Sequence, residues 1–436
     1  MSSDIRRIVP QLIAVSVTSL LVLSATPSAV IAAGVVGDGT PASCTEAAYD
    51  AALVGGGDIT FNCGAAPVTI ALSHRTVLDG WAGKIDGEGL VTLDGNYATG
   101  LFSVQKGSKL ELERLTLTRA GGGVGAIYNA GKLTISDCTF SANIADSGGG
   151  AIGNRGNLKV TDSLFDDNHT PSVLGGGAIE QYKSKAVITN TTFSNNSLHA
   201  IHGVGAKMKL INCTFSGNSG GTEPGGAIFA GGSKIKISNC TFSGNSAQDG
   251  GAIFAVGTMG ISSSTFVDNT ADIQGGAISL GGGKMSFKAT LFADNTPGHC
   301  YAYAGEWVDK GYNLTDSSGC GLSADKGSLI GVDPILSGGL ANNGGPTQTI
   351  ALDSASPAKN VARCVKTDQR GYVRPGAGAD RCTIGAYEVD SPGCSSKLSA
   401  CGSPAFCINL LKDINNCGAC GNACAGGLEC VAGQCE

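Results

Sequence analysis

The feature that most constrains this chain is a phenylalanine that returns at Phe140, Phe165, Phe193, Phe215, Phe242, Phe266 and Phe292, at intervals of 25, 28, 22, 27, 24 and 26 residues. Each is followed at the third position by asparagine: Asn143, Asn168, Asn196, Asn218, Asn245, Asn269 and Asn295. Glycine pairs recur between them at Gly149/Gly150, Gly176/Gly177, Gly225/Gly226, Gly250/Gly251 and Gly275/Gly276, as Gly-Gly-Ala-Ile. Self-similarity at such a period marks a repeat architecture, in which each unit buries its apolar face only against its neighbours.

Alignment on the phenylalanine gives each position a role. Seven residues upstream stand Leu133, Leu158, Ala186, Met208, Ile235, Met259 and Met285; five upstream stand Ile135, Val160, Ile188, Leu210, Ile237, Ile261 and Phe287. This period-2 apolar pair is one face of a strand, and a turn then leads to a second short strand holding the inward phenylalanine. Stacking such coils in parallel, at roughly 4.8 Å, puts equal positions above one another. The phenylalanines then form an internal ladder, and the asparagine amides bond from coil to coil through a corner. Glycine at 68 residues and charged residues at only 15% suit this turn-dense β structure better than solvated helices. The expected fold is all-β, a parallel β-helix.

The two motifs in fixed order resemble the repeats of the chlamydial polymorphic outer-membrane proteins, whose right-handed parallel β-helix (solenoid) is of the pectate-lyase-like type. The resemblance implies that fold for roughly residues 58–295. Further on, Gly311-Tyr312-Asn313-Leu314, Asp333-Pro334, residues 340–347, Ser356-Pro357-Ala358, Asp368-Gln369-Arg370-Gly371 and Ile384-Gly385-Ala386-Tyr387-Glu388 resemble the C-terminal part of bacterial choice-of-anchor β-helix proteins, which are secreted or surface-associated. Eight cysteines after position 393, with Cys417-Gly418-Ala419-Cys420-Gly421-Asn422 and Gly433-Gln434-Cys435 among their motifs, resemble the plant stigma-specific cysteine-rich module.

The expected organisation is a signal peptide at 1–33, an N-terminal cap at 34–57, β-helix repeats at 58–296, C-terminal coils and cap at 297–390, and a cysteine-rich module at 391–436. Arg6 and Arg7 before an apolar run and a small-residue end at Ala32-Ala33 read as an export signal, with an uncleaved anchor as the competing reading. No later segment is apolar enough to span a membrane. A short helical pattern at 45–53 is placed to cover the open end of the first coil. Export and 17 cysteines imply disulfides. Cys44 with Cys63 is the natural local pairing, Cys300 with Cys320 and Cys364 with Cys382 are candidate local staples whose connectivity the sequence leaves open, and that of Cys394, Cys401, Cys407, Cys417, Cys420, Cys424, Cys430 and Cys435 stays open as well. Four disulfides are preferred to zinc there, since the module has no histidine. Cys138, Cys213 and Cys240, two before the phenylalanine, read as buried thiols rather than an inter-coil bridge.

Eight residues before the phenylalanine stand Lys132, Lys185, Lys207, Lys234 and Lys284, and Lys159, Lys209 and Lys236 occupy the outward position two further on. Stacked coils would carry them as a basic stripe on a protein of net charge −6. The plain reading is solubility and protection against edge pairing. The functional reading is an anionic polymer such as acidic polysaccharide. Nucleic acid is disfavoured, because the face has no aromatic ladder. Asp167, Asp268 and Asp294, two after the phenylalanine, read as turn formers before Ca²⁺ ligands or an acid/base pair; no other cofactor is suggested. His169, His199 and His202 fall in two consecutive copies, with His199-Ala200-Ile201-His202-Gly203 in place of Gly-Gly-Ala-Ile, and are expected at the surface rather than in catalysis.

The sequence thus points to a secreted or outer-membrane-associated surface protein that binds or scaffolds, with anionic glycans as the favoured partner. A polysaccharide lyase or glycoside hydrolase on the same fold is the alternative, since fold does not settle function. An autotransporter-like adhesin is the third reading, although the C-terminus lacks the alternating strands of a membrane barrel.

Overall fold

The computed structural model describes residues 34–435 except 174, 364, 395–398, 402–405, 414, 425–427 and 429, so the expected signal and Cys364 lie outside the described residues. From Ile127 to Ser216 each coil lays down three short strands, as in Ile179–Tyr182, Lys185–Thr189 and Thr192–Ser194. The next coil repeats them as Ile201–Val204, Lys207–Ile211 and Thr214–Ser216. In the later coils the first two join into one strand, as in Ile228–Ser238. The pairing is parallel and sets Ile179 beside Ile201, Lys185 beside Lys207 and Phe193 beside Phe215. Three walls result: a first bearing the Ala-Ile strands, a second bearing the lysines and a third bearing the phenylalanines. The protein is an all-β parallel β-helix.

The interior is built as the spacing requires. The seven phenylalanines are buried and stack face to face, with successive centroids 4.7, 4.9, 4.9, 4.7, 4.5 and 5.2 Å apart. Each such pair adds about 0.5–1.5 kcal/mol beyond its buried area. Beside them runs the asparagine ladder. Asn196 Nδ2 donates to Asn218 Oδ1 at 2.9 Å, Asn218 to Asn245 at 2.9 Å and Asn245 to Asn269 at 2.8 Å. The ladder ends on His299, whose Nδ1 faces Asn295 Nδ2 at 3.1 Å while its Nε2 meets Asp316. Asn295 Nδ2 also donates to Phe266 O at 2.9 Å and to Ala293 O at 2.8 Å, so the last amide is not left unpaired.

The position two after each phenylalanine takes a left-handed backbone: φ is 52° at Asp167, 63° at Gly217, 64° at Gly244, 57° at Asp268 and 54° at Asp294. Glycine, Asp and Asn occupy this conformation at least cost, which accounts for the aspartates as turn formers.

The helix α1, Glu46–Leu53, begins on a Thr45 cap and inserts between the first two strands, Gly34–Val36 and Ile59–Phe61, which pair with each other in parallel. It packs closely on the first strand: a Cβ on Gly34 would lie 2.6 Å from Ala52 O. Cys44 and Cys63 are bonded across it.

After the array, Cys300–Ala302, Glu306–Asp309, Leu314–Thr315 and Leu329–Ile330 extend the stack. The chain then turns back along the outside of the third wall, a path the sequence does not reveal. Thr347 Oγ1 donates to Asn212 O at 3.0 Å, Thr241 Oγ1 to Gln369 Oε1 at 2.7 Å, and Ala386 N to Thr265 Oγ1 at 2.9 Å. A second apolar core joins Val267, Leu291 and Leu314 to Ile350, Ala358 and Ile384 of this strap. Its lock is polar: Asp368 pairs with Arg370 at 2.7 Å, both buried, and the Arg370 guanidinium lies 3.7 Å from the Tyr387 ring centre and 4.3 Å from that of Tyr372.

Candidate functional site

The second wall presents the lysines. Register places Lys109 beside Lys132, Lys132 beside Asn157, Asn157 beside Lys185, Lys185 beside Lys207 and Lys207 beside Lys234. Thr258 separates Lys234 from Lys284. A second row runs Lys159, Val187, Lys209, Lys236. All eight sequence-predicted lysines are exposed. Among the described residues, Lys284 alone of the eight forms an ion pair, with Glu306 at 3.0 Å. The remaining seven, Lys132, Lys159, Lys185, Lys207, Lys209, Lys234 and Lys236, form no ion pair among the described residues and stand one or two coils apart. A rigid scaffold that holds like charges unpaired focuses potential toward an anion.

Four cations adjoin this stripe that the repeat alignment missed. Lys106, Lys109, Arg155 and Lys183 sit at or beside the corners joining the first wall to the second, where they line a groove of about 470 Å³ with Lys132 and Lys185. They escape alignment because the corners vary in length and residue type: 105–108, then 130–131, 155–156 and 183–184. The detectable signal is a basic residue just after three of the first-wall strands, Lys106, Arg155 and Lys183.

A second groove, about 520 Å³, opens between the first rungs of the second wall and the cysteine module, with Lys84, Asp86, Glu111 and Glu113 on one side and Lys412 on the other. Asp86 lies beside Glu113 in register and accepts from Arg114 Nε at 3.0 Å. Burial raises the Glu113 carboxyl above its ordinary range, with Asp86 adding to the rise and Lys84, 3.4 Å away, opposing it. No repeat marks these groups in the sequence, because they precede the regular array.

The histidines correct an expectation. His199 and His202 are buried, 1% and 4% exposed, not at the surface. The 22-residue interval is the shortest repeat, and its clipped corner draws His199 inward to donate from Nδ1 to Gly225 O at 2.7 Å. His202 stacks on Phe229 at 4.9 Å. Burial lowers both imidazoles to about 4, so they are neutral near pH 7 and serve as aromatic filling.

Cys138, Cys213 and Cys240 are buried free thiols; burial pushes Cys138 up to about 12. The module pairs Cys394–Cys407, Cys401–Cys420, Cys417–Cys430 and Cys424–Cys435, which consumes the thiolates that zinc would need. Cys300–Cys320 is bonded, and Cys382 is disulfide-bonded. Among the described residues, Glu46, Asp50 and His74 are the non-cysteine group that brings three metal-type donors within 4.8 Å. There His74 already bridges Glu46 at 3.0 Å and Asp50 at 3.4 Å, tying α1 to the following coil.

The sequence model described as right handed beta helix region matches residues 90–222 and 172–328, together more than half of the chain. The chain belongs to the right-handed β-helix family. No curated protein and no solved structure matches it. In this right-handed β-helix the three walls, their ladders and the lysine register all follow from one coil repeated. No helix among the described residues is long and apolar enough to cross a membrane.

Proposed function

We propose that the protein is exported to the cell surface or the medium, where it binds anionic polysaccharide along the lysine stripe. The observation that carries the reading is the set of seven exposed lysines, in register and without an ion pair among the described residues. A surface that serves only solubility mixes both signs of charge. Export is supported by the disulfides at both ends of the chain, which persist in oxidising compartments. The resemblances to polymorphic outer-membrane repeats, choice-of-anchor proteins and stigma-type modules accord with a surface-associated binding protein. Lysine ammonium groups are point charges, so the stripe attracts carboxylate and sulfate alike.

A lyase or hydrolase is the second reading, favoured by the adjacent Asp86 and Glu113 in the groove beneath the cysteine module. One experiment separates the two. The mature protein is incubated with polygalacturonate, alginate and glycosaminoglycans, and both retention and unsaturated or reducing-end product are followed. Salt-sensitive retention without product is the expected result. Turnover that is lost in Glu113→Gln transfers the function to the second groove.

A further inference from the structure

We infer that recognition centres on the corner groove, which seats a short run of acidic sugars with one sugar above each of four stacked corners; this rests on reading the stripe as a glycan-binding surface. Six cations line the groove, Lys106, Lys109, Lys132, Arg155, Lys183 and Lys185, and no carboxylate does. The five lysines form no ion pair among the described residues. Successive corners lie roughly 4.8 Å apart, comparable to the advance per sugar in an extended chain.

The floor fixes that spacing. Asn129 Nδ2 donates to Asn154 Oδ1 at 2.5 Å, Asn154 Nδ2 to Gln181 Oε1 at 2.8 Å, and Ser184 Oγ to Gln181 Oε1 at 2.6 Å. All three amide side chains are fully buried. The corners therefore need no reordering when a ligand arrives, which removes part of the entropic cost of binding.

At the last corner, Tyr182 gathers two cations. Its ring centre lies 5.0 Å from the Arg155 guanidinium and 5.1 Å from Lys183 Nζ, and the residue is 38% exposed. Arg155 is also held by Glu180 at 3.4 Å. Tyr182 is thus a positioning residue, which presents both heads to the groove instead of letting them disperse into solvent. The groove ends by sequence: the next corners carry Gly205-Ala206 and Gly232-Ser233, so only the wall lysines continue.

The test is calorimetric titration of the mature full chain with oligogalacturonates of graded length, and in parallel with sulfated glycosaminoglycan oligosaccharides. Affinity for the carboxylated, the sulfated or both series is expected to rise with each sugar up to about four, one per corner, and then level. Lys106→Glu with Lys183→Glu should weaken binding about tenfold or more without changing the melting temperature. Tyr182→Ala should weaken it severalfold, and Tyr182→Phe should restore it, since either aromatic ring holds the cations. If the Lys106/Lys183 variant binds normally while Lys207→Glu with Lys234→Glu abolishes binding, the ligand lies on the open wall and the groove assignment falls, although the stripe reading stands. Tighter binding of single-stranded nucleic acid than of either glycan overturns the assignment as well. Absence of binding to every acidic glycan overturns both.

Discussion

The array from Phe140 to Asn295 and the strap with its cysteine module use opposite means of holding a chain together. In the array every coil repeats the same contacts, so stacked rings and bonded amides lock each unit to the next. The strap and module repeat nothing and are held by a few unlike devices: a second apolar core, the Asp368–Arg370 pair and four disulfides. Repetition distributes stability over many similar contacts; the non-repetitive part concentrates it in a few. The difference also decides where the ligand surface sits, because only the repeated part can place equal charges at equal intervals.

Reduction should produce the largest effect and divide the two regions most sharply. Losing a native disulfide from a small domain costs roughly 2–5 kcal/mol, so the module should become protease-sensitive in reductant while the β-helix circular dichroism persists. Simultaneous loss of both would show that the array depends on the module. Phe215→Ala comes next, at about 3–5 kcal/mol, because it removes a fully buried ring from the middle of the stack. Chemical denaturation should show it as a destabilisation of the array. Arg370→Ala removes the ion-pair partner of buried Asp368, which keeps its bonds from the backbone N–H groups of residues 370, 372 and 388, a change at the low end of about 3–5 kcal/mol. Hydrogen exchange should locate that loss in the strap, with the third-wall amides protected until global unfolding. Asn218→Ala removes the acceptor of the Asn196 backbone N–H and side-chain amide, at about 1–3 kcal/mol for each group left unpaired, while Asn245 Oδ1 keeps its bond from the residue 218 N–H.

A smaller effect concerns pH. Burial lowers His199 and His202 to about 4 from an unfolded value near 6.5, so the unfolded chain binds more protons between those limits. Their contribution is fully present above pH 6.5 and is lost as the pH falls toward 4. Thermal melts at pH 7 and pH 4.5 should show the decline. His199→Gly, which restores the residue found beside it at Gly177 and Gly226, should reduce it, leaving the part due to His202.

What the sequence revealed follows the same division. Phe215, Asn218 and Lys207 were legible because equal positions recur, and recurrence converts a one-dimensional spacing into a three-dimensional register. Asp268 and Asn195 stand at one turn position for the same reason, and both take a positive φ. The strap was illegible because Gln369 reaches Thr241 and Ala386 reaches Thr265 across more than a hundred residues, with no period to announce it. The corner cations Lys106, Arg155 and Lys183 were missed because alignment on phenylalanine discards residues in corners of unequal length. His199 was misplaced since a short coil turns a surface corner inward, which only packing decides.

The central claim is that stacked, unpaired lysines on a rigid wall hold an acidic glycan. Its most direct test is retention of the mature protein on immobilised polygalacturonate and heparin across a salt gradient, beside a variant carrying Lys132→Glu, Lys185→Glu, Lys207→Glu and Lys234→Glu. The account predicts retention of the unaltered protein that weakens steeply with salt, no retention of the variant, and equal melting temperatures for the two, since exposed substitutions shift stability by no more than about 0.5 kcal/mol. Equal retention of both proteins would contradict it, and would leave the stripe as a solvated face.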